Sequence, residues 1–260
     1  MSWVLDLDGV IWLADQPIPG AADAVAMLQS TGEPVAFVTN NSFAHREAVI
    51  SKLARHGIDA KDLVFTSAMA VAGLVEPGSR ALVCAGPGVT AELIAHGVRT
   101  MDVSDEGAAG WDADVVVVGF HRTFDYQRMT VASTAVRNGA RLLAANTDST
   151  YPTPNGPIPG AGSILASIVT ASGAEAVVAG KPHVPIATMV RAALGPVGMV
   201  VGDRVDTDGA FAETLGYRFG LVLSGVTAAG PIPDGVVPDI VAADLATLVH
   251  QALSDRNAGH

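Results

Sequence analysis

VLDLDGVIW, residues 4–12, sets two carboxylates, Asp6 and Asp8, one residue apart at the end of a run that otherwise reads as a buried strand. On a strand's alternation both side chains project to the same side. Two like charges that close repel unless a cation sits between them or one of them is protonated. The spacing therefore asks for a positive partner at the C-terminal end of a first strand.

The chain around it is of a kind that builds such strands. Its 260 residues are 49% hydrophobic, with a mean hydropathy of +0.38. The apolar residues come in short blocks such as VVVVG at 115–119, GMVVGD at 198–203 and FGLVLSG at 219–225. Blocks of that length, rich in Val, Leu and Ile and separated by amphipathic stretches, predict a parallel sheet with helices on both faces. None approaches the roughly 18 apolar residues of a membrane span. The net charge of −11 argues against a nucleic-acid backbone or an anionic membrane as partner. A small anionic ligand would need a local reversal of sign, for which a bound divalent cation is the simplest source. Cys84 is the single cysteine, and residues 1–20 have no basic, signal-type start, so a reducing cytoplasm is expected.

Read for organisation, the first 75 residues predict βαβαβα. Strands are expected at 3–7, PVAFVT (34–39) and LVFTS (63–67), with helices after Pro19-Gly20, after NNSFAHRE and at AMAVAGLV. EPGS at 76–79 reads as a joint, and a second α/β set follows to about residue 176. From AVVAG (176–180) onward the first theme resumes, ending in a helix near 245–253 and a tail, SDRNAGH, that reads as frayed. The expected organisation is a Rossmann-like doubly wound parallel-sheet core, 1–77 and 178–260, with an α/β insertion at 78–177.

Five short motifs fall where strands end, the edge at which open α/β sheets bind ligands. They are DLDGV, TNN (39–41), GKP (180–182), GD (202–203) and TD (207–208). Singly, each reads as turn or cap chemistry. Together they set Asp6, Asp8, Thr39, Lys181 and Asp203 on one edge: carboxylates for a hard cation, a hydroxyl and main-chain N–H groups for phosphate oxygens, and an ammonium. AGPGVT (85–90) and IPGAGS (158–163) lack the Lys-Ser/Thr pair and the dinucleotide spacing, and read as turns.

In that order, DLDGV, VTNNS, GKP and GDRVDTD resemble the haloacid dehalogenase-like hydrolase superfamily, and the long insertion resembles its subclass IIA, with a C2-type cap. IPGAADAV, AANTDSTYPT, IPGAGS and LVLSGVT extend the resemblance over nearly the whole chain. It implies a Mg²⁺-dependent phosphatase acting through an aspartyl-phosphate. Asp6 would be the nucleophile and Asp8 the acid/base, with its main-chain carbonyl also on the metal. Gly9, Thr39, Asn40, Asn41 and Lys181 would hold the phosphate, Asp203 would complete the metal shell beside Asp6 and Asp8, and Asp208 would position Lys181 or a metal-bound water. In the cap, folded over the sheet edge, Asn146, Asp148, His121 and Arg122 would set substrate specificity. His121 stands where relatives more often carry Asp.

The substrate implied is a small phosphorylated metabolite, glycerol phosphate or phosphoglycolate, with nucleoside monophosphates and pyridoxal phosphate as alternatives. A homodimer is left open. A phosphotransfer receiver also gathers acids, a Thr and a Lys around Mg²⁺, but it needs no insertion of about 100 residues. A dehalogenase of the same superfamily lacks the carboxylate at Asp8. A non-catalytic binding protein would not need the full set.

Overall fold

A computed structural model of the chain describes residues 1–151, 153, 156–227 and 235–258. It divides into two compact units, Met1–Thr39 with Glu47–Phe65 and Lys181–His260, and Asn40–Arg46 with Thr66–Gly180.

The first unit is built on a six-stranded sheet. Its spatial order is Ile240–Ala242, Arg218–Val222, Gly198–Gly202, Ser2–Leu5, Val35–Thr39, Val64–Thr66. Chain order reverses at Ser2–Leu5, which pairs in parallel with Gly198–Gly202 on one side and Val35–Thr39 on the other. That is a topological switch point, where the crevice beyond the strand ends is open to a ligand. Ser2–Leu5, Val35–Thr39 and Gly198–Gly202 are buried at every residue, so these strands are continuous apolar runs rather than alternating ones. Helix Ala21–Ser30 buries Ala21, Ala24, Val25 and Leu28, one face at helical spacing. Trp3, Phe37, Phe211 and Phe219 are fully buried. Truncating any of them would cost about 3–5 kcal/mol, against about 0–1 for an exposed ion pair, so packing rather than surface charge holds this unit.

The second unit carries a five-stranded parallel sheet in the order Val177–Val178, Arg141–Ala144, Val115–Val118, Arg80–Cys84, Arg99–Asp102. Helices Tyr126–Arg137 and Ala161–Ser172 bury Val131, Ala132, Val136, Ile164, Leu165 and Ile168 into its core.

Three expectations are corrected. The strand in AVVAG does not resume the first sheet: Val177 and Val178 pair with Leu143 and Ala144. The last return to the first unit therefore falls at 180/181 rather than near 178. Helix Ser67–Ala72 packs on helix Pro87–Ala95, and the chain enters the long segment of the second unit at 65/66 rather than 77, after a short excursion over Asn40–Arg46. At the C-terminus, helix Leu245–Ala258 runs through most of SDRNAGH, and Arg256 pairs with Glu33 at 2.9 Å; residues 259–260 lie outside the described ones.

Candidate active site

Register decides where the acids fall. Leu5 is level with Val201 and Phe37, and the Asp6 N–H continues the ladder onto the Val201 carbonyl at 2.9 Å. One step beyond, Asp6 and Asp203 follow adjacent strands, and Thr39 closes the strand on the other side. Asp208 arrives from a π-helical turn, Val205–Gly209, that opens the helix after Asp203. Such turns carry an extra residue per ring and are frequent at functional sites.

Lys181 joins the set. Its Nζ donates to Asp6 Oδ1 at 2.6 Å and to Asp208 Oδ1 at 2.7 Å, with Lys181 and Asp208 only 4% and 2% exposed. Asp203 Oδ2 accepts the Val226 N–H at 2.5 Å. Carboxylate oxygens of Asp6, Asp203 and Asp208 lie within 4.8 Å of one another. Two of these three carboxylates thus pair with one ammonium. Burial, with Asp208 and Asp203 nearby, pushes the Asp6 carboxyl well above the usual range against the pull of Lys181. Burial and Asp208 push Asp203 up to about 6. Burial works against the Lys181 charge, but Asp208 and Asp6 outweigh it and hold its pKa above the ordinary lysine value.

That excess of negative charge, presented as hard oxygen donors without sulfur or nitrogen, fits a divalent cation such as Mg²⁺. Gly9 leaves room beside it. Its φ of +84° suits glycine, and a Cβ there would stand 2.4 Å from Asp203 Oδ2.

Asp8 does not join the carboxylate cluster. Its Oδ1 accepts the Trp12 indole N–H at 3.0 Å, and burial raises its carboxyl against the pull of Lys52.

The second unit gathers Asn40, Asn41, Asn146 and Asp148. Asn146 Nδ2 donates to the Asn40 carbonyl at 2.7 Å, its Oδ1 accepts the Asp148 N–H at 3.1 Å, and Asn40 Nδ2 donates to Asp148 Oδ1 at 3.2 Å. Asn41 Nδ2 reaches the Tyr151 hydroxyl at 3.3 Å, and Tyr151 stacks on Phe120 with centroids 4.3 Å apart. Asn146 and Asp148 are thus bonded to the turn that follows Thr39. His121 accepts the Thr123 N–H on Nδ1 at 3.3 Å, and its burial holds it below the usual histidine range. The Arg122 guanidinium lies 4.7 Å from the Phe43 ring centroid.

Other groups at the first unit's site were not singled out from sequence. Ser224 Oγ donates to the Gly9 carbonyl at 2.7 Å, and Val226 supplies the N–H on Asp203. Both lie in LSGVT, directly after strand Arg218–Val222, and that position was the available signal.

Comparison with known proteins agrees with this geometry. The haloacid dehalogenase-like hydrolase pattern matches residues 3–99 and the HAD-hydrolase-like pattern residues 178–248. The chain is 35% identical over 237 residues to a D-glycerol 3-phosphate phosphatase of Mycobacterium tuberculosis, covering 87% of this chain but 64% of that protein's length. It is 34% identical to an acid sugar phosphatase of Staphylococcus saprophyticus, over 91% of this chain and 92% of the relative. A crystal structure of a glycerol phosphate phosphatase from Mycobacterium tuberculosis in complex with magnesium superposes with a TM-score of 0.82 at 33% identity, covering 95% of this chain and 75% of that one. With strand-end acids, lysine and insertion all in the expected order, the chain belongs to the haloacid dehalogenase-like hydrolases, subclass IIA.

Proposed function

We propose that this HAD-like phosphatase hydrolyses small phosphate monoesters with Asp6 as nucleophile and Asp8 as general acid and base. The observation that carries the reading is Lys181 bridging Asp6 and Asp208 beside Asp203 at the switch point of the first sheet. An Asp6 oxygen attacks phosphorus and the ester P–O bond breaks. Asp8 gives its proton to the leaving alkoxide and becomes a carboxylate. In the second step water attacks the aspartyl-phosphate and gives a proton to Asp8, releasing phosphate and restoring Asp6.

Lys181 neutralises charge between nucleophile and phosphate, and Asp208 holds it. Thr39, Gly9 and the main chain at Asn40 and Asn41 bind phosphate oxygens. Asp6, Asp203 and the Asp8 carbonyl would hold Mg²⁺, which when bound offsets the charge of the phosphoryl group.

The second unit is the C2-type cap on this reading. Asn146 and Asp148 brace the Asn40 turn, which leaves His121 and Arg122 as the residues that discriminate leaving groups. A neutral His121 is a weak anion receptor, so Arg122 is the candidate for a second negative charge. Arg122 by itself would argue for phosphoglycolate; the names of the relatives, a D-glycerol 3-phosphate phosphatase and an acid sugar phosphatase, weigh for a polyol phosphate such as glycerol phosphate, which is the reading preferred, with nucleoside monophosphates and pyridoxal phosphate as the alternatives. A cytoplasmic place belongs to the same reading; among the described residues no helix is long and apolar enough to cross a membrane.

The test is turnover of 4-nitrophenyl phosphate by purified protein with Mg²⁺ and with chelator, for the parent and Asp6→Asn. Activity that needs Mg²⁺ and disappears in Asp6→Asn is expected. Undiminished turnover in that variant, free of deamidation, would remove Asp6 as nucleophile.

A further inference from the structure

The Asp8 carboxylate has a partner of its own. Trp12 Nε1 donates to Asp8 Oδ1, and no other side-chain donor reaches that carboxylate among the described residues. Main-chain bonds fix the two residues together: Gly9 N–H to the Trp12 carbonyl at 2.7 Å, and Trp12 N–H to the Leu7 carbonyl at 3.2 Å. The indole is 4% exposed and lies under the ammonium of Lys52, whose Nζ is 4.1 Å from the ring centroid. Lys52 is itself held. It donates to the Ala14 carbonyl at 2.8 Å and to Asp15 Oδ1 at 3.3 Å, in the turn of the ribbon Trp12–Leu13 and Gln16–Pro17. His56 closes another side of the indole, its ring centroid 6.0 Å away.

Packing accounts for the ring but not for the direction of its N–H. A phenylalanine would fill much of the same volume and keep an aromatic face for Lys52. The indole adds one donor, and that donor is spent on Asp8.

We propose that Trp12 is a positioning residue for Asp8 and that Lys52 holds Trp12 to that task; this rests on the reading of Asp8 as acid and base. With Oδ1 accepting the indole N–H, the transferable proton resides on Oδ2. Oδ2 gives it to the leaving alkoxide as the ester P–O bond breaks, and recovers one from water in the second step. Fixing the carboxylate beforehand spares the reaction the cost of orienting it.

The experiment compares kcat/KM for two esters, because protonation matters unequally to them. A 4-nitrophenolate leaves readily without a proton, whereas the alkoxide of glycerol phosphate needs one. Trp12→Phe should lose about tenfold or more on glycerol phosphate and about threefold or less on 4-nitrophenyl phosphate, within the 10²–10⁴ that general acid catalysis contributes. Lys52→Met should show the same inequality more weakly, and it decides the question if Trp12→Phe does not fold. Asp8→Asn should show it most strongly. Independently of turnover, the indole N–H resonance that vanishes in Trp12→Phe should move in Asp8→Asn. Equal losses on the two esters in the folded Trp12 or Lys52 variant, beside an unequal loss in Asp8→Asn, would overturn the positioning role and leave Asp8 as the acid. Equal losses in Asp8→Asn itself would remove the acid role, and the proposal with it. An indole resonance indifferent to Asp8→Asn would refute the hydrogen bond on which the proposal stands.

Discussion

Lys181 donates to Asp208 Oδ1 at 2.7 Å from a position where both side chains are almost wholly withdrawn from water. Asp208 is a competitor with Asp6 for the same ammonium, so it sets how much of the Lys181 charge falls on Asp6. Asp208→Asn keeps an acceptor but removes the competing charge, and Lys181 then pairs with Asp6 alone and quenches it. We expect kcat to fall about 10–100-fold, the range found when a partner of a site residue is lost. A kcat equal to the parent's, measured with 4-nitrophenyl phosphate, would show that Asp208 does not control Lys181.

Asp203 bears on stability in the opposite sense. Asp6, Asp203 and Asp208 crowd together while Lys181 pairs with only Asp6 and Asp208, so the metal-free protein carries repulsion that a cation relieves. At pH 8, above the value of about 6 for Asp203, Asp203→Asn removes a charge while its amide oxygen still accepts the Val226 N–H. In chelator the variant should melt about 2–4 °C above the parent, the shift that about 1 kcal/mol gives in a chain of this size. The upward shift that Mg²⁺ gives the parent should shrink sharply. Calorimetry with chelator and with Mg²⁺ measures both, and a variant that melts lower in chelator would contradict the account of repulsion.

Asp6, Asp203 and, beside them, Thr39 were legible because each stands at the end of an apolar block that a reader can locate. Lys181 was legible through GKP, although the strand before it belongs to the other sheet. Val177 and Val178 look the same whichever sheet they join, since a two-residue apolar pairing carries no label for its partner. Strands Arg99–Asp102 and Ile240–Ala242 are hard to read because edge strands are short and three of the four residues of RTMD are polar. Asn146 and Asp148 read from the sequence as one loop, but their bonding to Asn40, over a hundred residues earlier, leaves no local pattern. The Trp12 N–H was hidden for a similar reason: tryptophan at that point of the sequence reads as core.

Glu33 gives the fold a dependence on acid. Burial alone would raise its carboxyl, but hydrogen bonds from the N-terminal ammonium, Trp3 and Arg256 hold it at about 2, below an ordinary 4.5. A carboxyl whose folded pKa is depressed contributes stability that is present above the unfolded value and lost as pH falls through the folded one. The window therefore runs from about 4.5 down to about 2. Because the group is partly hydrated, about 1–2 kcal/mol is expected rather than the full shift. Glu33→Gln should lower stability by that amount at pH 7 and flatten the loss between pH 4.5 and 3 in urea titrations. An unchanged acid limb would mean that other carboxylates carry it.

Asp148 separates two accounts of the second unit. If its carboxylate reads hydroxyls on the leaving group, Asp148→Ala changes the ranking of substrates. Its Oδ1 instead accepts from Asn40 Nδ2, while Asn146 ties the Asn40 carbonyl and the Asp148 N–H into the same knot. Loosening that knot disturbs the turn after Thr39, and if that turn holds phosphate oxygens as proposed, the loss would be common to every phosphate ester. Asp148→Ala should therefore lower kcat/KM for glycerol phosphate, phosphoglycolate, a nucleoside monophosphate and pyridoxal phosphate by one common factor. About tenfold is expected, the worth of a charge-assisted hydrogen bond at the low end of its range. Arg122→Ala should spare the common factor and lower phosphoglycolate relative to glycerol phosphate. A ratio between substrates that moves more than about threefold in Asp148→Ala would return Asp148 to the leaving group and leave the chemistry at Asp6 untouched.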